Sequence, residues 1–281
     1  MNDLEKLKYS TLLLRKSNKK SPPKGIASGC ILKYKGTDFF LTVQHIYSNA
    51  NKGKDEDWGI LCGANLKNGA AMYFPGAMGF GIKIPNNPQN IEKLSEALAS
   101  EKCVNILKSQ GATDVDFAYA KIDFPQVQSI QASPSLILTY DEPFQIIEDD
   151  LNTLPSELET YKFWGNIKPG EKVDTLIQVE GSQFPCHITE IVCYDNLKYT
   201  GQKGDRFLFE ISMNIDPDFV RGCSGAPIFD SKGNLVALLT ECYPIKKKLM
   251  NNGRYVRSIT VTQIEGINLQ LCKTFLDVNI S

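Results

Sequence analysis

The residues best suited to chemistry lie in Arg221–Asp230, RGCSGAPIFD, where Gly222-Cys223-Ser224-Gly225 places a serine between two glycines. Glycine accepts positive φ and lets the backbone come close to a bound group. A hydroxyl held on such a turn, with amide N–H groups pointing the same way, suits attack on a carbonyl and stabilisation of the oxyanion that forms. The same residues also fit an ordinary serine in a β-turn, and motifs this short recur by chance. The information that separates the two readings lies upstream.

The elements that must carry such a serine read as strands. Ile228-Phe229 runs into Asp230-Ser231-Lys232-Gly233, a hairpin signal, and Asn234–Glu241 and Arg254–Thr262 follow as strands. Upstream, Ile31–Lys35 and Phe39–Val43 form a hairpin across Gly36-Thr37-Asp38, and the second strand ends at His45 in LTVQHIYSN. Asp116 opens another strand in TDVDFAYAKID. Phe207, Phe209, Ile211 and Met213 alternate as on a half-buried strand. Ile91, Leu94, Leu98, Ile106 and Leu107 sit near helical spacing before Gly111, which predicts a helical insertion over residues 90–110. Ile264, Ile267, Leu271 and Phe275 predict a C-terminal helix over Gln263–Leu276. Short strands with turn signals point to barrels or sandwiches, not to a parallel α/β sheet. The predicted organisation is an N-terminal arm (1–24), a first β unit (25–125), a Pro-containing acidic linker (126–160), and a second β unit with the C-terminal helix (161–281).

Composition narrows the class. With 31 Lys and Arg against 32 Asp and Glu, the net charge of −1 gives no reason to expect a nucleic-acid partner or an anionic membrane surface. The first residues contain only Thr11–Leu14 as an apolar run, too short for a signal core, and no later run approaches membrane-spanning length. The eight cysteines show no close-spaced pair of metal-binding type. The expectation is a cytoplasmic protein with free thiols, no metal and no cofactor.

Three segments together carry a family resemblance. LTVQH resembles the Leu-Thr-Ala-Ala-His signature of trypsin-like serine peptidases, DFAYAKI resembles their aspartate strand, and GCSGAPIFD resembles their Gly-x-Ser-Gly-(Gly/Ser)-Pro turn. NLVALLTEC and NGRYVRSITVTQI resemble the strands that follow, so the likeness spans roughly residues 25–276 in the family's His-Asp-Ser order. The resemblance implies two antiparallel six-stranded β-barrels with the site between them. It implies His45, Asp116 and Ser224 as a triad, and the N–H groups of Gly222 and Ser224 as the oxyanion hole. A protein or peptide substrate is implied, bound along Thr240, Glu241 and Cys242, with Gly253 and Tyr255 bordering the pocket.

Several assignments stay open at this level. Asp114 shares the strand face with Asp116, and Cys223 offers a thiol next to the serine. His187, in FPCHITEIV, reads as structural. Asp218, six residues before Ser224, stands where trypsin-type enzymes place the carboxylate that selects Arg or Lys, yet Asp216-Pro217-Asp218 also reads as a solvated turn. Two departures from the secreted relatives stand out. Cys223 replaces the aspartate that pairs with a new N-terminus on activation, and no cysteine flanks His45 or Asp116 to form the usual disulfides. Three functions fit: an endopeptidase, an inactive peptide-binding scaffold, or an effector switched on by a protein partner through residues 1–24 or 90–110.

Overall fold

A computed structural model describes residues 7–17, 24–48, 57–62, 71–73, 75, 78–83, 109, 111–122, 145–167, 174–179, 182–187, 190–216, 219–251 and 254–280. The helical insertion expected over 90–110 lies outside the described residues, apart from Ser109. The described chain is mostly strand, as the turn-punctuated sequence predicts, with few helices.

In the first half the strands are β1 (Leu12–Ser17), β2 (Lys24–Tyr34), β3 (Thr37–Thr42), β4 (Asp57–Cys62), β5 (Ala71–Tyr73), β6 (Gly79–Lys83), β7 (Thr113–Lys121) and β8 (Ile147–Glu148). They join one sheet in the order β5-β4-β1-β2-β3-β7-β6, with β8 paired parallel to β2. Where a six-stranded barrel is expected, the described residues give this eight-stranded sheet. The N-terminal arm is also corrected: Leu12 and Leu14 are 1% exposed in β1, between β2 and β4. The short Thr11–Leu14 run is long enough to fill a strand. Ile147 of β8 faces the same core, so part of the presumed linker belongs to the sheet.

The second half contains β9 (Thr160–Ile167), β10 (Asp174–Val179), β11 (Ser182–His187), β12 (Glu190–Lys203), β13 (Arg206–Ile211), β14 (Pro227–Phe229), β15 (Leu235–Asn251) and β16 (Arg254–Asn268). Six of these close into a barrel in the order β12-β13-β16-β15-β14-β9, and β10 with β11 forms a separate two-stranded sheet. Alternation explains β13: Phe207, Phe209 and Ile211 point inward while Arg206, Leu208 and Glu210 lie partly exposed. Met213, expected to continue the series, is 52% exposed because the strand has ended at Ile211. Tyr161 and Phe209 pack with ring centroids 5.1 Å apart. Burying each such ring stabilises by about 1.5–3 kcal/mol.

β15 and β16 run on together past the barrel to Asn251 and Arg254. From Lys246 to Met250 and from Tyr255 to Ser258 this ribbon is exposed. The C-terminal helix is Leu269–Asp277, shorter than expected, because Ile264 and Ile267 are strand residues of β16. Asn268 ends the strand, and its side chain caps the helix by accepting from the Gln270 N–H at 3.0 Å. The helix packs back on the first half. Phe275 stacks on Phe117 at 6.2 Å, and the Tyr34 hydroxyl donates to Asp277 at 3.1 Å.

The two halves come close together at Gly225. Its φ is +88°, and an added Cβ there would lie 2.0 Å from the Ser28 carbonyl oxygen and 2.4 Å from Thr42 Oγ1. The expected outcome for Gly225→Ala is a loss of about 3 kcal/mol or more, from left-handed strain plus the clash. A lowered urea midpoint checks this, and an unchanged midpoint would remove Gly225 as the fixed point between the halves.

Candidate active site

Ser224 is placed by backbone contacts across the halves. Its carbonyl accepts from the Ser28 N–H at 2.8 Å, and the next amide, Gly225, donates to the Leu239 carbonyl at 2.7 Å. Behind it, Thr42 Oγ1 donates to the Ser28 carbonyl at 2.7 Å, which ties β3 to the same point. β3 is the strand that leads to His45, so one short network locates both residues.

His45 opens a short helix, His45–Ser48, just after β3. The indole N–H of Trp58, on β4, donates to the Ile46 carbonyl at 2.9 Å and steadies that turn. Asp116 on β7 then accepts twice from the same residue: from the His45 backbone N–H through Oδ1, and from the imidazole Nδ1 through Oδ2, both at 2.9 Å. Burial pushes the Asp116 carboxyl up. The hydrogen bonds and charge of His45, with Arg206 nearby, outweigh this and hold it below the ordinary carboxylate value. An ionised carboxylate only accepts, so Nδ1 carries the proton and Nε2 the lone pair, the tautomer a general base needs.

These residues line one cleft of 680 Å³ between the halves, a size suited to a ligand side chain and its neighbours. Gln44, His45, Asp114 and Asp116 line it from the first half, and Arg206, Ser224, Thr240, Glu241 and Cys242 are among those from the second. The sequence-derived set of His45, Asp116, Ser224, Thr240, Glu241 and Cys242 is thus brought together. Asp218 and Gly253 lie outside the described residues. Tyr255 does not border the cleft: the register sets Glu241 opposite Glu265 and Cys242 opposite Ile264, while Tyr255 pairs with Met250 near the far end of the ribbon. His187 ends β11 in the separate two-stranded sheet.

Cys223 is fully buried, and its thiol faces Gly165, where even a methyl group would meet Sγ at 2.1 Å. Burial raises that thiol well above its ordinary value, so Cys223 does not compete with Ser224 as a nucleophile. Cys242 is pushed up to about 12 by burial and then by Glu241.

Two features were not visible in the sequence. Phe219–Cys223 forms a 3₁₀ turn, in which each N–H bonds the carbonyl three residues back, so the Gly222 N–H points to the Phe219 carbonyl. The Gly222 carbonyl accepts from Ser28 Oγ at 2.7 Å. The second feature is a charge cluster at the cleft wall. Arg206 Nη1 lies 2.8 Å from Glu265 and 3.3 Å from Glu241, and its Nη2 lies 3.7 Å from Asp116. A strand-opening arginine between Asp205 and Phe207 carries no motif, and only the β13–β16 register reveals its neighbours.

A carboxyl held low in the folded state contributes stability above its unfolded value, near 3.9, and that contribution is lost as the pH falls through the folded value. The melting temperature is therefore expected to drop as the pH is lowered below about 4. Asp116→Asn should flatten part of that drop; identical pH curves for both proteins would contradict the assignment. No family model matches this chain, and no curated protein matches it, so the functional reading rests on this cleft.

Proposed function

We propose that the protein is a serine endopeptidase of the trypsin-like type, with a chymotrypsin-like arrangement of its two β units. The observation that carries the reading is the His45–Asp116 pair, joined at 2.9 Å, in the same cleft as Ser224 on its glycine turn. In this reading Ser224 Oγ attacks the peptide carbonyl while His45 Nε2 takes the hydroxyl proton. The tetrahedral intermediate collapses as His45 passes that proton to the leaving amine, giving an acyl-enzyme that water hydrolyses by the same route. Asp116 holds the imidazole and stabilises the imidazolium. The edge at Thr240–Cys242 pairs with extended substrate backbone. Glu241 favours a basic residue near the cut, and Asp218 is the residue proposed to select Arg or Lys before it.

A second reading is favoured by the 3₁₀ turn. With the Gly222 N–H directed into that turn, the oxyanion hole keeps one donor fewer than turnover needs. A protein of this shape is a latent effector that a protein partner completes, or a scaffold that holds peptides without cleaving them. Rotation of the Arg221–Gly222 peptide would present the missing donor, and Gly222 has no side chain to oppose that rotation.

A fluorophosphonate probe separates the readings. The constitutive enzyme is expected to label at Ser224, with labelling lost in Ser224→Ala and reduced about 10³-fold or more in His45→Ala. Labelling that appears only in cell extract supports the partner-completed effector. A folded wild type that takes no label in either setting leaves the scaffold.

A further inference from the structure

We propose that Arg206 is a positioning residue of this cleft: it clamps the Asp116 carboxylate from the second half of the chain and couples it to Glu241 on the substrate-facing edge of β15. The inference rests on the hydrolase reading, since it concerns how the base of that reaction is held.

The strand register explains why an arginine sits there. Glu241 and Glu265 are direct cross-strand partners, an arrangement in which like charges repel. Glu265 is only 6% exposed on its side chain, so its charge needs a partner. On the opposite side of β16, Arg206 pairs with Ile267 and Leu208 pairs with Glu265, which sets Arg206 and Glu265 diagonally on one face. The guanidinium enters between the two glutamates, and the Tyr243 hydroxyl donates to Glu265 Oε1 at 2.6 Å from the far side. The planar fork of arginine serves both glutamates through Nη1 and leaves Nη2 for Asp116, which a single ammonium cannot do equally well.

The charged and titratable groups around the imidazole are Asp114 and Asp116 on β7, Arg206 on β13, Glu241, Cys242 and Tyr243 on β15, and Glu265 on β16. Arg206 is the cation among them. Its charge opposes formation of the imidazolium, and its contact restrains the carboxylate that orients Nδ1. Glu241, 56% exposed, is the partner a substrate can reach. A basic substrate side chain that pairs with Glu241 draws that carboxylate away from Nη1 and leaves the guanidinium to Glu265 and Asp116. Substrate charge is thereby felt at the His45–Asp116 pair.

The test follows the His45 Nδ1 proton by NMR through a pH titration of the full-length protein, with fluorophosphonate labelling rates measured over the same pH range. In Arg206→Gln the midpoint of the His45 titration is expected to rise by about one pH unit, because a nearby cation is gone. The acid limb of the labelling profile should move with it, and Arg206→Lys should restore most of both. If Arg206→Gln does not fold, Arg206→Gln with Glu265→Gln removes the stranded buried charge. The midpoint should still rise there, since the Arg206 charge lies 3.7 Å from the Asp116 carboxylate whatever Glu265 carries. A midpoint that stays put or falls in a folded variant overturns the clamp. A wild type that takes no label either alone or in cell extract, but whose midpoint responds to Arg206→Gln as expected, sinks the hydrolase reading and leaves the clamp standing.

Discussion

The position of Gly225 against the Ser28 carbonyl is the constraint on which the cleft depends. Two β units of one chain could pack in many relative placements, yet here Ser224 of one and His45 of the other line the same cleft. Backbone hydrogen bonds from Ser28 to Ser224 and from Gly225 to Leu239 fix the serine turn to both units at once. Only a residue without a side chain can approach so closely, and only glycine takes the +88° φ without strain. Thr42, three residues before His45, belongs to the same network, so Ser224 and His45 share a common anchor.

Around that anchor the cleft is built from charges that restrain one another. Asp116 is held ionised although partly buried, because it accepts from His45 twice and lies beside Arg206. Glu265 is buried yet ionised for a similar reason, with Arg206 on one side and Tyr243 on the other. The two cysteines next to these groups stay protonated, since burial without a cation raises a thiol. The same burial that silences Cys223 also packs it tightly against Gly165, so the residue before the serine acts as a wedge under the turn.

Much of this could be read from the sequence, for identifiable reasons. The serine turn, the strand end at His45 and the strand through Asp116 are local patterns, and local patterns survive in a linear reading. Cross-strand partners do not. Arg206 and Glu265 lie far apart in sequence, and local likeness puts Tyr255 beside the cleft while the register places Glu265 and Ile264 there instead. The mixed charge up to Lys20 and the Ser21–Gly25 break read as an arm outside the fold, yet a sheet core recruits any short leucine-rich run that reaches it, as β1 does. At the C-terminus, Ile264 and Ile267 keep helical spacing, yet β16 is buried on both faces there, so residues three apart are both covered without a helix, which begins only after the cap at Asn268.

The ribbon formed by β15 and β16 beyond the barrel has one more consequence. Among the described residues, β15 from Glu241 to Asn251 pairs with β16 alone, so its other side offers unsatisfied amides and carbonyls to any passing chain. Such a template invites stacking of identical molecules. Lys246, Lys247 and Lys248 stand along that stretch, and two copies aligned edge to edge would bring lysine against lysine. Lys247 is held by Glu210, so Lys246 and Lys248 are the charges that discourage such stacking along the open strand.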